Sequence, residues 1–302
     1  MVIRALAASL VLFTSCGPNV PDFAFPRYKS LGAAFNFLCG LKDDGNVECL
    51  DPIDGEGKLF YTLKGSELVA LPRQGSAQSC AVTDRTEIRC WSVRDYAGSR
   101  DLDGLDPPRG SFSMVSSDSL TGAICGVRAT SGAILCAAKD EVSAIADNAP
   151  SGQYKTVAVG DLEACGLSTA GEIRCWGKDV SLASWPGIYD DLRCINGVCA
   201  GSIGGTTLSS PTFGNIDFRP FIDFAYFRKF LCVLAVDGAV ECKYSTGATV
   251  MEIPSTPLVT ITIEESPTHD PTWICGDTAA KVPVCYALPS GKRLTLSRAE
   301  HE

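Results

Sequence analysis

The stretch Cys39-Gly-Leu-Lys-Asp-Asp-Gly-Asn-Val-Glu-Cys49 reads as a strand, a tight turn and a second strand. Asp43-Asp44-Gly45 supplies the positive φ that such a turn requires. If Cys39 stands opposite Cys49, then Leu41 stands opposite Val47, and strand alternation puts all four side chains on one face. The same four positions recur along the chain. They are Cys80, Val82, Ile88 and Cys90, then Cys125, Val127, Ile134 and Cys136, then Cys165, Leu167, Ile173 and Cys175, and again Cys232, Leu234, Val240 and Cys242. On the other face the position after the first cysteine is small (Gly40, Ala81, Gly126, Gly166, Gly276). The position before the second is often charged (Glu48, Arg89, Arg174, Glu241).

Two further pairs, Cys194 with Cys199 and Cys275 with Cys285, bring the total to seven. Five pairs are ten positions apart, one is eleven and the fifth only five, and their first members are spaced 41, 45, 40, 29, 38 and 43 residues apart. A period near 40 fits an array of four-stranded units. The expected fold is therefore all-β: a closed seven-bladed propeller with a reduced fifth blade, its terminal segments meeting to cover the sheet edges. Directly opposed strand positions lie about 4.5–5.5 Å apart at Cα, within reach of a disulfide. Each pair is read as an intra-blade bridge, the alternative being pairs of buried thiols. Zinc ligands come at closer spacing and with histidines, so no metal is expected. Upstream stretches such as Leu68–Leu71, Tyr154–Gly160, Phe221–Ala225 and Val259–Ile263 supply another strand per blade, and the outermost strand falls after each second cysteine.

The chain has 302 residues, 15 cysteines, 2 histidines and a formal charge of −9. At 45% hydrophobic and 20% charged residues it is a folded-protein composition. The acidic balance argues against nucleic acid, which needs clustered Lys and Arg. Residues 1–15 read as a signal peptide, with Arg4 before the apolar run Ala5–Phe13. Phe13-Thr14-Ser15-Cys16 resembles a bacterial lipobox with Phe in place of the usual Leu, making Cys16 the expected site of lipidation. An ordinary signal peptide cut elsewhere is the alternative. Residues 16–24 then form a linker and 25–302 the propeller. No later run reads as a membrane span. Gly17 after Cys16 points to an outer-membrane lipoprotein, facing the periplasm or the surface.

The stretch from Tyr154 to Gly177, with Cys165-Gly-Leu-Ser-Thr-Ala-Gly-Glu-Ile-Arg-Cys175-Trp-Gly at its centre, resembles the repeat of the regulator-of-chromosome-condensation family in its cysteine-paired bacterial form. Cys90-Trp91 carries the same Trp. The resemblance covers about residues 25–290 and implies a closed seven-bladed propeller. It departs from the family at Trp91-Ser-Val-Arg-Asp, where Gly-Gln-Leu-Gly is absent, at the short Cys194–Cys199 unit, and at Asp277 and Pro283 in the last unit. No nucleotide-exchange or chromatin-binding residue carries over.

Little points to catalysis or to a cofactor. Ser266-Pro-Thr-His-Asp-Pro271 holds the sole histidine away from the C-terminus and reads as an exposed loop. Asp101-Leu-Asp-Gly-Leu-Asp106 misses the spacing and closing Glu of a calcium loop. Two regions are candidates for binding. The acidic connectors after each second cysteine (Asp101, Asp103 and Asp106 above all, with Asp51, Asp140, Glu141, Asp190 and Asp191) are expected to gather on one rim, for solvation or to steer a basic partner. The series Phe218, Phe221, Phe224, Phe227 and Phe230 is read either as core or as an exposed patch. The expected function is a monomeric, non-catalytic binding scaffold for a protein or envelope partner, touching the membrane only through its anchor. A lyase or hydrolase working at the central channel, or a purely structural envelope component, are the alternatives.

Overall fold

The computed structural model describes residues 28–34, 37–51, 58–71, 78–92, 105–118, 122–160, 162–178, 183–195, 198–227, 230–253, 256, 258–264, 272–279, 282–288, 290–291 and 293. They form seven antiparallel sheets, each with its strands in sequence order. The first contains β1 (Tyr28–Ala34), β2 (Phe37–Lys42), β3 (Val47–Asp51) and β4 (Lys58–Leu63). The second contains β5 (Gln78–Val82) and β6 (Ile88–Ser92), with an added bridge between Leu68 and Thr83. The third has β7 (Phe112–Asp118), β8 (Ala123–Arg128) and β9 (Ile134–Ala138), then a helical turn at Asp140–Val142 and α1 (Ala144–Asp147). The fourth has β10 (Tyr154–Val159), β11 (Glu163–Ser168), β12 (Ile173–Gly177) and β13 (Ala183–Ser184). The fifth has β14 (Asp191–Ile195), β15 (Val198–Ile203), β16 (Thr207–Ser210) and β17 (Gly214–Asp217). The sixth has β18 (Phe221–Phe227), β19 (Phe230–Ala235), β20 (Val240–Tyr244) and β21 (Thr249–Ile253). The seventh has β22 (Thr262–Glu264), β23 (Thr272–Asp277) and β24 (Pro283–Leu288), with a bridge between Leu258 and Thr278.

The cysteine hairpins pair as their sequences require. Cys39 lies opposite Cys49 and Leu41 opposite Val47. In the same register Cys80 lies opposite Cys90, Cys125 opposite Cys136 and Cys165 opposite Cys175. Cys232 lies opposite Cys242, and Cys275 opposite Cys285. All seven adjacent pairs are disulfides, at Cα separations of 4.0–4.1 Å, so the alternative of buried thiols is set aside. The second cysteines differ in their surroundings. Cys136 and Cys90 are only half-buried, because β9 and β6 are the last strands of their sheets among the described residues. Cys242 is fully buried and faces Met251 of β21, just before the register of that pair shifts.

The fifth unit differs from the expectation of a reduced blade, for it carries four strands. Its bridge has moved instead. Cys194 and Cys199 join β14 to β15, the first and second strands, whereas the other bridges of four-stranded sheets join the second and third. The register identifies the shift: Leu192 faces Gly201 in sheet five as Val157 faces Gly166 in sheet four. Cys194 and Cys199 thus take the places of Val159 and Ala164, and Ala200 takes that of Cys165. The short spacing marks a bridge across a different hairpin, not a missing piece of blade.

Small residues after the first cysteine have a steric cause. A Cβ on Gly40 would come within 2.1 Å of the Tyr28 ring, and one on Gly166 within 2.7 Å of Ile134 Cδ1 and 2.8 Å of the Tyr154 ring. One on Gly126 would meet Phe112 at 2.5 Å and Ile88 at 3.0 Å. Gly126 and Gly166 are therefore covered twice, by a ring from their own first strand and by an aliphatic tip from the preceding sheet. The covering residue recurs seven times, as Tyr28, Leu68, Phe112, Tyr154, Tyr189, Phe221 and Leu258, each under 9% exposed.

Adjacent sheets share their cores and their turn atoms. Cys39, Leu41, Val47 and Cys49 pack on Leu68, Leu71, Ala81 and Trp91 of the second sheet, and similar clusters span each later junction. Leu38 of the first sheet packs with Trp273, Cys275, Cys285 and Ala287 of the last. The hairpin turns add backbone links: the carbonyls of Gly45, Thr86, Gly132, Gly171, Gly205 and Gly238 accept N–H groups from Ser66, Phe112, Tyr154, Tyr189, Phe221 and Thr256 of the following sheets, at 2.7–2.9 Å. Thr86, at φ 64°, does in the second sheet what a glycine does in the others. α1 follows β9 in the third sheet, and its Ile145 carbonyl accepts the buried Trp176 Nε1–H at 2.8 Å.

Candidate binding face and central channel

In an antiparallel meander the start of the first strand and the turn between the second and third strands lie at the same edge. In this molecule that edge is repeated around seven sheets and forms one face, the turn face. The residue just after each covering side chain points out of it: Lys29, Val69, Ser113, Lys155, Asp190, Ile222 and Val259, all exposed. Ile188 opens the same edge of the fifth sheet, and Val236 sits in the β19–β20 turn with its N–H on the Pro220 carbonyl.

Exposed large apolar side chains concentrate there. Among the described residues, Val69 (46%), Ile188 (64%), Ile222 (60%), Val236 (66%) and Val259 (38%) lie on the turn face. Leu135, on β9, and Leu162, in the opposite β10–β11 hairpin, complete the set. Scattered exposed apolar residues need no explanation, but their gathering on one rigid face does. Charged groups border them. Arg219 lies within 3.4 Å of both Asp237 and Glu241 and bonds Glu252, and the Glu252 bond holds its pKa above the usual guanidinium value. At the first turn the Asn46 N–H lowers the Asp44 pKa below the usual carboxylate value.

A cavity of about 750 Å³ opens between the innermost segments of sheets two to five. Its walls include Val69, Leu71, Val82, Met114, Val157 and Leu192, with Asp84, Asp191 and Arg193 as its charged members. Arg193 is heavily engaged: Nη1 donates to the Phe224 carbonyl, Nη2 to Asp191 at 3.2 Å and to Asp223, and the guanidinium stacks 4.4 Å from the Phe224 ring. Asp223, with a side chain 2% exposed, also accepts N–H groups from Phe224 at 3.0 Å and from Ile261 at 2.9 Å. One carboxylate thus ties together sheets five, six and seven.

The sequence-derived candidates fall differently. Phe218 and Phe221 are each 8% exposed and stack edge-on, as do Phe221 and Phe224, so these rings pack in the junction of sheets five and six rather than forming a free patch. The side chain of Phe227 lies outside the described residues. Asp106 is exposed, while Asp101, Asp103, Cys16 and His269 fall outside the described residues. The acidic connectors do not share a rim: Asp140 and Glu141 follow β9 on the far side, whereas Asp190 and Asp191 open β14 on the turn face. The cysteines serve the frame through their bridges, and Cys80 and Cys194 also line the cavity. Cys136 is bridged to Cys125 and Cys242 to Cys232, and each other second member to its own first. Because the fifth bridge is shifted, the sulfurs of Cys165, Cys194 and Cys199 lie within 4.8 Å of one another. All three are in disulfides, which removes the thiolates a metal would need. The exposed ring of the turn face and the Arg193–Asp223 pair are not legible in the sequence. The recurring aromatic or leucine ahead of each hairpin is the signal that locates the ring, one residue further on.

No family model matches this sequence, and no curated protein does. Among the solved structures that share its architecture are two plant receptor-kinase ectodomains. The entire ectodomain of the receptor kinase CR4 from Physcomitrella patens superposes with a TM-score of 0.59 at 14% identity, over 85% of this chain and 72% of that one. The CRINKLY WD40 ectodomain of the receptor kinase ACR4 from Arabidopsis thaliana does so with a TM-score of 0.57 at 17% identity, over 89% of this chain and 97% of that one. With seven sheets in sequence order and this likeness, the chain is a β-propeller with intra-blade disulfides.

Proposed function

We propose that this chain is an exported, non-catalytic scaffold of cysteine-paired repeats of the regulator-of-chromosome-condensation type, which recognises a macromolecular partner with its turn face. The observation that carries the reading is the collection of Val69, Ile188, Ile222, Val236 and Val259 on that face. A propeller offers many loop and strand-end positions from a rigid frame, which suits a large partner. The two solved structures named above are ectodomains of receptor kinases, in keeping with such a role. Seven disulfides require an oxidising compartment, which supports export. Cys16 supplies the lipid anchor in this reading, placing the scaffold at the outer membrane. Among the described residues no helix is long and apolar enough to cross a membrane.

Site-specific photo-cross-linking in the native envelope tests the choice of face. A benzophenone side chain replacing Ile222, Val236 or Val259 is expected to form a discrete adduct of one size, while the same group at Leu162 is expected to form none. Adducts from Leu162 alone, or equal labelling from both faces, would reject the turn face as the binding surface.

A further inference from the structure

The central cavity has a chemistry of its own and shares Val69 with the apolar face around it. Its volume, about 750 Å³, is that of a small-molecule site. Its walls are mainly aliphatic, and its charges are unbalanced: Asp84 and Asp191 line it, and Asp223 stands behind Arg193, which is the single cation among the lining residues. The guanidinium is already bonded to two carboxylates and a carbonyl, so it is poorly placed to receive an anion. Asp191 keeps acceptor capacity, because Oδ1 takes the Leu192 N–H at 2.8 Å, Oδ2 takes Arg193, and the side chain remains 42% exposed.

A break in the repeat leaves these groups facing the channel. At three other junctions the side chain two residues past the covering residue accepts an N–H from the next sheet: Ser30 from Leu71 at 2.9 Å, Met114 from Val157 at 3.2 Å, and Asp223 from Ile261 at 2.9 Å. Thr156 and Asp191 hold the same place in sheets four and five. The corresponding N–H groups are satisfied elsewhere, that of Leu192 by Asp191 itself and that of Phe224 by Asp223. Thr156 and Asp191 are thereby released from holding blades together, and both line the cavity.

We propose that this cavity binds an alkylammonium group carried on an apolar stem, its cation received by Asp191 with Asp84 at the mouth and its stem by the aliphatic wall. Two sources share that chemistry: a free organic amine, and a lysine side chain presented by a partner loop. An acid of the same shape would meet excess carboxylate, and a neutral alcohol would leave the charge unmatched.

The test uses the full chain in detergent, titrated by calorimetry and saturation-transfer NMR with n-hexylammonium, n-hexanol and n-hexanoate. A second pair of probes is a cyclic peptide bearing lysine and the same peptide bearing norleucine. Hexylammonium is expected to bind at least tenfold more tightly than hexanol, with no binding of hexanoate. Asp191→Asn should weaken it about tenfold, and Asp84→Asn about threefold. Asp84 is exposed, so its variant keeps the test decisive if Asp191→Asn disturbs the fold. Binding of hexylammonium assigns the site to a free amine. Binding confined to the lysine peptide, lost in the norleucine peptide and in Asp84→Asn, assigns it to a partner's lysine. Equal binding of hexanol, preferential binding of hexanoate, binding unchanged in both variants, or no binding of any probe overturns the proposal. Loss of the turn-face adducts described above leaves this result unaffected, and the converse also holds.

Discussion

Replacing Arg193 with alanine is expected to destabilise the protein by about 3–5 kcal/mol, the range found when one member of a buried ion pair is removed. The reason lies in what stays behind. The Asp223 carboxylate, 2% exposed, would keep the N–H groups of Phe224 and Ile261 but lose the guanidinium that balances its charge. The Phe224 carbonyl and ring would lose the guanidinium as well. Because Asp223 links three sheets, the loss should appear in global unfolding as a fall in Tm of roughly 10 °C, not as local fraying. The double variant Arg193→Met, Asp223→Asn removes the buried charge along with its partner and should recover much of the loss. Chemical denaturation of the single variants Arg193→Met and Asp223→Asn and of the double variant measures the coupling. An Arg193→Ala protein within about 1 kcal/mol of the parent, on the order of a surface pair, would mean that the pair does not hold the sheets together.

Gly201→Val is expected to destabilise by about 3 kcal/mol or more, at the upper end of overpacking costs. A Cβ there would stand 2.6 Å from both Ile173 Cδ1 and the Tyr189 ring, before any γ-methyl is added. One obstacle is the δ-methyl of Ile173 in the preceding sheet and the other the Tyr189 ring ahead of β14, so a larger side chain must displace both at the junction of sheets four and five. Gly201→Ala should be milder, and combining it with Ile173→Val should restore part of the difference, since the shorter side chain vacates the δ-methyl position. The two changes should therefore be non-additive when unfolding free energies are compared. Full additivity would show that Ile173 is not what limits the space at Gly201.

The sequence discloses the fold through its cysteines because a cross-strand bridge fixes two strands and their register together. Cys39 and Cys49, with Leu41 and Val47, are enough to place a hairpin, and the repetition of that pattern through Cys125 with Cys136 and Cys232 with Cys242 counts the sheets. The fifth pair shows the limit of that logic. The spacing of Cys194 and Cys199 specifies a tight hairpin but not which hairpin of the blade it closes, and the Leu192–Gly201 register, with the Tyr189–Gly201 contact, reveals the shift. The phenylalanine series is ambiguous in the sequence because a spacing of three fits neither strand period. The structure resolves it by distributing Phe218, Phe221 and Phe224 over a loop end and β18, whose register shifts between Phe221 and Asp223. The turn face is hidden for another reason: its members are single residues about one blade apart and of mixed chemistry, so they are marked only indirectly, by the aromatic or leucine that precedes each of them. Arg193 and Asp223 look like ordinary surface charges in the sequence, and their burial follows from the packing of three sheets that no local window spans.

The central claim, recognition through the turn face, is tested most directly by the affinity of the cross-linked partner, once isolated, for the chain carrying Ile222→Asp and Val236→Asp together. Both side chains are more than half exposed, so the thermal midpoint should stay within about 2 °C of the parent. The dissociation constant should rise at least tenfold, equivalent to about 1.4 kcal/mol. The control Leu162→Asp on the opposite face should bind as the parent does. Unchanged affinity in the double variant, with loss of binding in Leu162→Asp, would contradict the account.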